Sequence, residues 1–339
     1  MRILPPDVDA PRRRLLARAA AVALGAQLPA ALRATSRPGP STAECIVPAK
    51  AGGGFDLTCK VAKSLLDRSG ALGSPVKIRY VPGGIGAIVY KQTIMRSSDR
   101  AEQLIAFSGG SLLNIAQRKF GPYAEDSVRW VASLAMDFGV VAVHRDSPIR
   151  NFKDLVAAVR ARPMEIVFGA GGTIGSQDWI KSAEIARAAQ YDFKLLRYVA
   201  FEGGGDAVAA LERGYVHVMP GDASELTMHL KQGAAVRVVA SFSEERLPGL
   251  LASVPTAREQ GFDIVWPVAR GFYVGPRVDD AAYDAWVSLF EKVAASADYR
   301  ELMNENGMQP YFLGGRDLTR YVTRQVEAYR TLARQYQLL

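Results

Sequence analysis

The residues best placed to do chemistry in this chain are glycines. An apolar stretch, Glu44-Cys45-Ile46-Val47, feeds Pro48-Ala49-Lys50-Ala51-Gly52-Gly53-Gly54-Phe55-Asp56-Leu57-Thr58, and a helical run through Val61, Leu65 and Leu66 follows. Without a Cβ, glycine takes positive φ and lets bare backbone N–H groups approach a guest. The first N–H groups of a helix lack internal partners and sit at the positive end of its dipole, so such a junction is a seat for a carboxylate or phosphate. Alone, three glycines serve equally well as a tight strand-to-helix connection. The arrangement recurs, however. Residues 76–81 lead into Pro82-Gly83-Gly84-Ile85-Gly86, 166–168 into Gly169-Ala170-Gly171-Gly172-Thr173-Ile174-Gly175-Ser176, and 195–200 into Phe201-Glu202-Gly203-Gly204-Gly205. Four junctions, two in each half, predict one site closed from two sides.

On this reading Ala51, Gly52, Gly53, Gly54, Phe55, Asp56 and Thr58, with Pro82, Gly83, Gly84 and Ile85, seat one carboxylate. Gly171, Gly172, Thr173, Ser176 and Asp178, with Phe201, Glu202, Gly203 and Gly204, seat the other end. Backbone N–H groups and the hydroxyls of Thr58, Ser108, Thr173 and Ser176 donate. Asp56 and Asp178 cannot accept a carboxylate directly. They cap backbone N–H groups, bind bridging water, or receive an ammonium or hydroxyl of the ligand. Phe55 lines either the site or the core, the site being the expectation.

Positioning falls to alternating strands and helices. A helix is expected over 87–95, a strand over 103–107, and a helix after Ser108-Gly109-Gly110-Ser111. A fully apolar strand spans 139–143, and Asn151 caps a helix over 152–161. Further helices are read over 179–189, 207–213 and 225–231, strands over 215–219 and 236–240, and a short helix from Val254-Pro255-Thr256 to Gly261. An extended run over 264–274 precedes helices over 280–295, 299–306 and 318–335. The pattern predicts two α/β domains with mainly parallel sheets. Crossings near 139–143 and 266–272 would make 140–265 the second domain and 43–139 plus 266–339 the first, an arrangement suited to hinge closure.

At 339 residues the chain is long enough for two cores. Its net charge of +8 is concentrated at the start: residues 1–40 hold seven arginines against two aspartates, so the remainder carries +3. With no dense basic stripe, nucleic-acid binding is excluded as an expectation. Arg12-Arg13-Arg14-Leu15-Leu16 and the Ala/Leu/Val stretch behind them read as an export signal over 1–42, of the general secretory or twin-arginine kind, placing the mature protein in the periplasm. Cys45 and Cys59 are compatible with a disulfide in an oxidising compartment, but two buried small hydrophobes are the expectation. His144, His217 and His229 stand at no metal-ligand spacing, and His217 reads as a satisfied histidine among apolar neighbours. There is no Gly-x-Ser-x-Gly elbow or P-loop, and Gly83-Gly84-Ile85-Gly86 lacks the full dinucleotide spacing. Hence no catalytic residue, metal or cofactor is expected.

Taken in order, these pieces resemble the exported substrate-binding receptors of tripartite tricarboxylate transporters, including the tricarboxylate-binding receptor and its Bordetella-type relatives. The likeness rests on 48–58, on Val81-Pro82-Gly83-Gly84-Ile85-Gly86, on Gly169-x-Gly171-Gly172-x-x-Gly175-Ser176-Gln177-Asp178 and on Phe201-Glu202-Gly203-Gly204-Gly205-Asp206-Ala207. Ser224-Glu225, 233–246, Val254-Pro255-Thr256 to Gly261 and Arg270-Gly271 follow in family order. The chain departs from relatives at Ser98-Asp99-Arg100-Ala101-Glu102, where they often carry an Asp-Gly-Tyr-like turn. The resemblance implies a two-lobed periplasmic binding fold of type II-like form, two doubly wound domains about a hinge. It implies a monomer that traps a di- or tricarboxylate such as citrate and delivers it to large and small membrane subunits. A receptor signalling through a sensor kinase is the alternative, with an exported α/β enzyme using Asp56 or Asp178 as general base behind it.

Overall fold

The structure, a computed structural model, describes residues 41–96 and 98–339. All but the last two residues of the expected export signal therefore lie outside the described residues. In chain order the first half holds β1 (Glu44–Val47), α1 (Gly54–Ser69), β2 (Lys77–Tyr80), α2 (Ala87–Met95), β3 (Gln103–Ser108) and α3 (Gly109–Ala116). The long β4 (Arg129–His144) leads to α4 (Phe152–Ala161), β5 (Val167–Gly171), α5 (Gln177–Ala188), β6 (Arg197–Phe201) and α6 (Gly204–Glu212). Then come β7 (Val218–Asp222), α7 (Ala223–Lys231), β8 (Val236–Ser241) and β9 (Pro267–Val274). The chain closes with α8 (Asp280–Ala294), α9 (Ala297–Glu305), β10 (Gln309–Gly314) and α10 (Gly315–Gln335).

Strands run in the order β2-β1-β3-β9-β4-β7-β5-β6, with β8 and β10 also on β4. The sheet is more mixed than the alternation suggested. The outer pairs β1–β2, β1–β3, β5–β6 and β5–β7 are parallel, because each is joined through a covering helix. Every pairing of β4 and β9 is antiparallel. β4 pairs with β9 over 129–138 and with β7 and β8 over 139–144, so one strand serves both halves. At the changeover Gly139 donates to Trp266 O (2.8 Å), Trp266 to Phe242 O (2.7 Å) and Phe242 to Gly139 O (2.7 Å), which closes a backbone triangle between the halves.

Helix faces follow from spacing. In α1, Leu57, Val61 and Leu65 recur every four residues and are buried, and Gly70 ends the helix at φ +63°. In α10, Leu318, Val322, Val326, Tyr329 and Leu332 form one buried stripe. That helix lies on α3 and β4, and its tail reaches α5: the Tyr336 ring packs 5.1 Å from Phe193, and its hydroxyl bonds Glu184.

Three expectations need correcting. The stretch 257–261 is a series of turns in place of a helix, tied by Thr256 and Glu259, each of whose side chains accepts from the other's backbone N–H (3.0 and 2.7 Å). The first half of β4 and all of β10 are strands where the sequence pattern predicts none. Cys45 and Cys59 are joined by a disulfide, both fully buried, with Cα atoms 5.8 Å apart. Cys45 faces α1 from β1, and the second turn of α1 carries Cys59 back over it, a juxtaposition that needs the strand–helix packing. The bond closes a loop of 14 residues in sequence separation. Reducing it is expected to cost about 3 kcal/mol, the chain-entropy value for a loop of about 15 residues. The check is the urea midpoint of the protein with and without reductant.

Candidate functional site

The glycine loops converge as the strand ends dictate. β1, β3, β5, β6 and β7 each run directly or through a short loop into a helix, and all five helices begin at one cleft. It is lined by Gly53, Gly54 and Phe55 at the start of α1, Ser108 and Gly110 at α3, and Ser176, Gln177 and Asp178 at α5. Gly203 and Gly204 at α6 and Asp222 and Glu225 at α7 complete the ring, with Ile85 and Arg270. The cleft contains about 590 Å³ of space between atoms, counting the part open to solvent. Five helix N-termini give it unpaired N–H groups and positive potential from both halves.

The halves meet across this cleft. A β-carbon placed on Gly52 would lie 3.7 Å from Gly205 Cα, and one on Gly53 3.5 Å from Gly204 N. His229 Nε2 stands 3.0 Å from Gly52 O, Gln117 donates to Gly175 O (2.7 Å), and Lys50 pairs with Asp206 at the rim (3.1 Å). Gly52 takes φ +89° and Gly172 φ +87°, conformations that side chains rarely adopt. Ile85, between Gly84 and Gly86, is held at φ +48°, an outlier for a β-branched residue, and faces the cleft.

Beneath the loops lies a buried charged floor. Arg270 on β9 donates from Nε to Asp137 (2.8 Å) and from Nη2 to Asp222 (2.6 Å), while Nη1 has no hydrogen-bond partner among the described residues. Lys181, fully buried on α5, bonds Asp222 (2.8 Å) and Gly221 O (2.6 Å). Its Nζ also lies 2.7 Å from Asp178 Oδ1, though outside hydrogen-bond geometry. Burial pulls the Asp222 carboxyl up, but Lys181 and Arg270 outweigh it and hold the group below the usual range. Asp178 is pushed up to about 6 by burial against the pull of Lys181. Glu225 is pushed up to about 8 by burial, with Asp222 and Asp178 adding to the effect.

The Glu225 shift has a signed consequence. A carboxyl whose folded pKa exceeds its unfolded value keeps its proton while the unfolded chain loses one. Its stabilising contribution is therefore complete below about pH 4.5 and is lost as pH rises to about 8. Glu225→Gln is expected to flatten the fall in melting temperature across that window, as measured by calorimetry at several pH values.

Of the anticipated residues, Gly53, Gly54, Phe55, Ile85, Ser108, Gly171, Ser176, Asp178, Glu202, Gly203 and Gly204 line the cleft. Ala51, Gly52, Asp56, Thr58, Pro82, Gly83, Gly84, Gly172, Thr173 and Phe201 do not. Asp56 is turned away and accepts from Gly52 N, Lys60 and Tyr80, all at 2.8 Å, which makes it the clamp of the first loop. Thr58 Oγ1 donates into its own helix at Gly54 O (2.7 Å). Ser176 caps α5 by accepting from Trp179 N (3.2 Å), and Ser108 forms a capping box with Ser111. His217 Nδ1 accepts from Val167 N (3.0 Å), the satisfied histidine expected. The charged floor of Asp137, Lys181, Asp222, Glu225 and Arg270 was missed. The signal available was an arginine set inside the apolar run 264–274.

A mixed sheet in two halves, with helices starting at a shared cleft, defines the periplasmic binding protein class. The chain belongs to the tripartite tricarboxylate transporter family of receptors, whose family model matches residues 61–338. It is similar to a UPF0065 protein from the gbd 5′ region of Cupriavidus necator, with 25% identity covering 95% of this chain and 96% of the relative. Its fold matches the periplasmic binding protein BugD at TM-score 0.77, with 19% identity covering 88% of this chain and 98% of that one. MatC from Rhodopseudomonas palustris, solved with bound malate, matches at TM-score 0.73 and 19% identity, covering 86% and 98%.

Proposed function

We propose that this solute-binding receptor is exported to the periplasm, traps a small carboxylate between two lobes and delivers it to the membrane subunits of a tripartite transporter. The lobes on this reading are 43–139 with 266–339, and 140–265, hinged where β4 and the run into β9 cross. The observation that carries the proposal is the five helix N-termini around one cleft, backed by the Arg270 guanidinium, whose Nη1 has no hydrogen-bond partner among the described residues. Backbone N–H groups at helix starts bind carboxylates without a counter-cation in the loop itself, and a guanidinium nitrogen adds a charge-assisted donor. The malate bound to MatC is the kind of ligand such a cleft takes. Asp56, with three donors already on it, is spent on holding its loop, which disfavours it as a general base.

The experiment is calorimetric titration with a panel of mono-, di- and tricarboxylates, alongside mass spectrometry of whatever the purified protein releases on denaturation. Micromolar binding of at least one carboxylate is expected. If none binds or raises the melting temperature, the reading fails.

A further inference from the structure

The cleft holds an acceptor that carboxylate binding leaves unused. Glu225 is 5% exposed and lines the cleft, and its Oε1 is buried without a hydrogen-bond partner among the described residues. The carboxyl lies between the two halves. A β-carbon on Gly204 would sit 1.7 Å from Oε1, and one on Gly53 3.3 Å from it. Gln177 Oε1, also in the cleft lining, is a second buried acceptor without a partner. Unsatisfied buried acceptors are costly in a native structure and call for a donor.

The charges around Glu225 sharpen this. Asp222 on β7, Asp178 and Lys181 on α5, Arg270 on β9 and Asp137 on β4 face it from the floor. Glu202 and Asp206 stand near the start of α6, Lys50 precedes α1, and His229 follows on Glu225's own helix. In the floor, four carboxyl side chains meet two cations, Lys181 and Arg270. A ligand bearing only carboxylates brings no donor to the Glu225 and Gln177 oxygens. One that also brings an ammonium group would satisfy both acceptors.

We infer that the ligand is a carboxylic acid carrying a primary ammonium group, whose carboxylate meets Arg270 Nη1 and the α1 N-terminus and whose ammonium donates to Glu225 and Gln177. This rests on the carboxylate-receptor reading above and names the ligand class within it. Ammonium binding favours the ionised Glu225 carboxyl, so the proton that burial keeps on Glu225 leaves to solvent as the complex forms.

The test uses ligand pairs differing only in the amino group: L-glutamate with glutarate, 4-aminobutyrate with butyrate, and L-alanine with propionate. Each is titrated calorimetrically into the full protein between pH 6 and 8. At least one amino acid is expected to bind tenfold or more tightly than its partner, with affinity rising with pH and a proton released. Glu225→Gln should abolish that preference, bringing the amino acid down to or below the affinity of its amino-free partner. An amino-free acid that binds as well as or better than its pair, with affinity falling as pH rises, would show a protonated Glu225 donating to a carboxylate. That result overturns the inference and leaves the carboxylate receptor standing. If no acid of either kind binds, both fall. The wild-type pH series decides the matter even if the variant fails to fold.

Discussion

Arg270→Met is expected to abolish ligand binding and to lower stability by about 3–5 kcal/mol, the cost of removing one partner from a buried ion pair. The guanidinium is the only cation bonded to Asp137 among the described residues, and it shares Asp222 with Lys181. Without it, Asp137 keeps only the Ser224 hydroxyl (2.5 Å) and the N–H groups of Ser224 (3.1 Å) and Phe138 (2.8 Å). An uncompensated buried carboxylate then either takes up a proton or draws in water. Because Arg270 is on β9 and Asp222 at the end of β7, the substitution cuts a link between the halves as well as the proposed ligand contact. The two effects separate by measuring chemical unfolding without ligand and binding by calorimetry. Arg270→Lys should recover part of the stability, since one cation is restored, but not the binding, since an ammonium cannot reach both aspartates and the cleft with the same planar fork.

Gly54→Ala carries the second large effect. A β-carbon there would fall 2.4 Å from Arg270 Nη1, 2.5 Å from Nη2 and 2.7 Å from Cζ. A long side chain could ordinarily swing aside, but this guanidinium is pinned by two aspartates. The added methyl must therefore displace either the ion pairs or the start of α1, at an overpacking cost of about 1–3 kcal/mol. Carboxylate affinity is expected to fall about 100-fold, because the N–H groups of the first loop and the guanidinium can no longer meet one ligand group; a shift of 2.7 kcal/mol in binding is of the order that one preorganised donor contributes. Combined with Arg270→Met, the glycine change should add little, and a double-mutant cycle reads that coupling. Full additivity would show that Gly54 and Arg270 do not act together.

The local devices were legible because local sterics dictate them. Glycine at 52, 172 and 175 answers to positive φ (+89°, +87° and +81°), which any reader of glycine spacing can anticipate. Asn151 announces its helix start by capping chemistry that operates within three residues. The apolar run of β5 and the four-residue spacing in α1 likewise announce strand and helix. Of the four junctions read in the sequence, those after β1, β5 and β6 open helices at the cleft, while the one after β2 contributes only Ile85.

The partners of the ionised side chains were not legible. Arg270 and Asp137 are 133 residues apart, Arg270 and Asp222 48, and Lys181 and Asp222 41. No local rule links such pairs, even where an apolar run such as 264–274 marks one member as buried. The same holds for the antiparallel centre of the sheet, where β9 returns between β3 and β4 after a long excursion. It holds for the Cys45–Cys59 bond too, which waits on α1 packing over β1. The sequence by itself determined where backbone amides would be bared and which way each helix would point them. Only the tertiary structure decided that a buried guanidinium, an ammonium and four carboxyl groups share the floor beneath, because charges are brought out of water together only when the whole chain has closed around them.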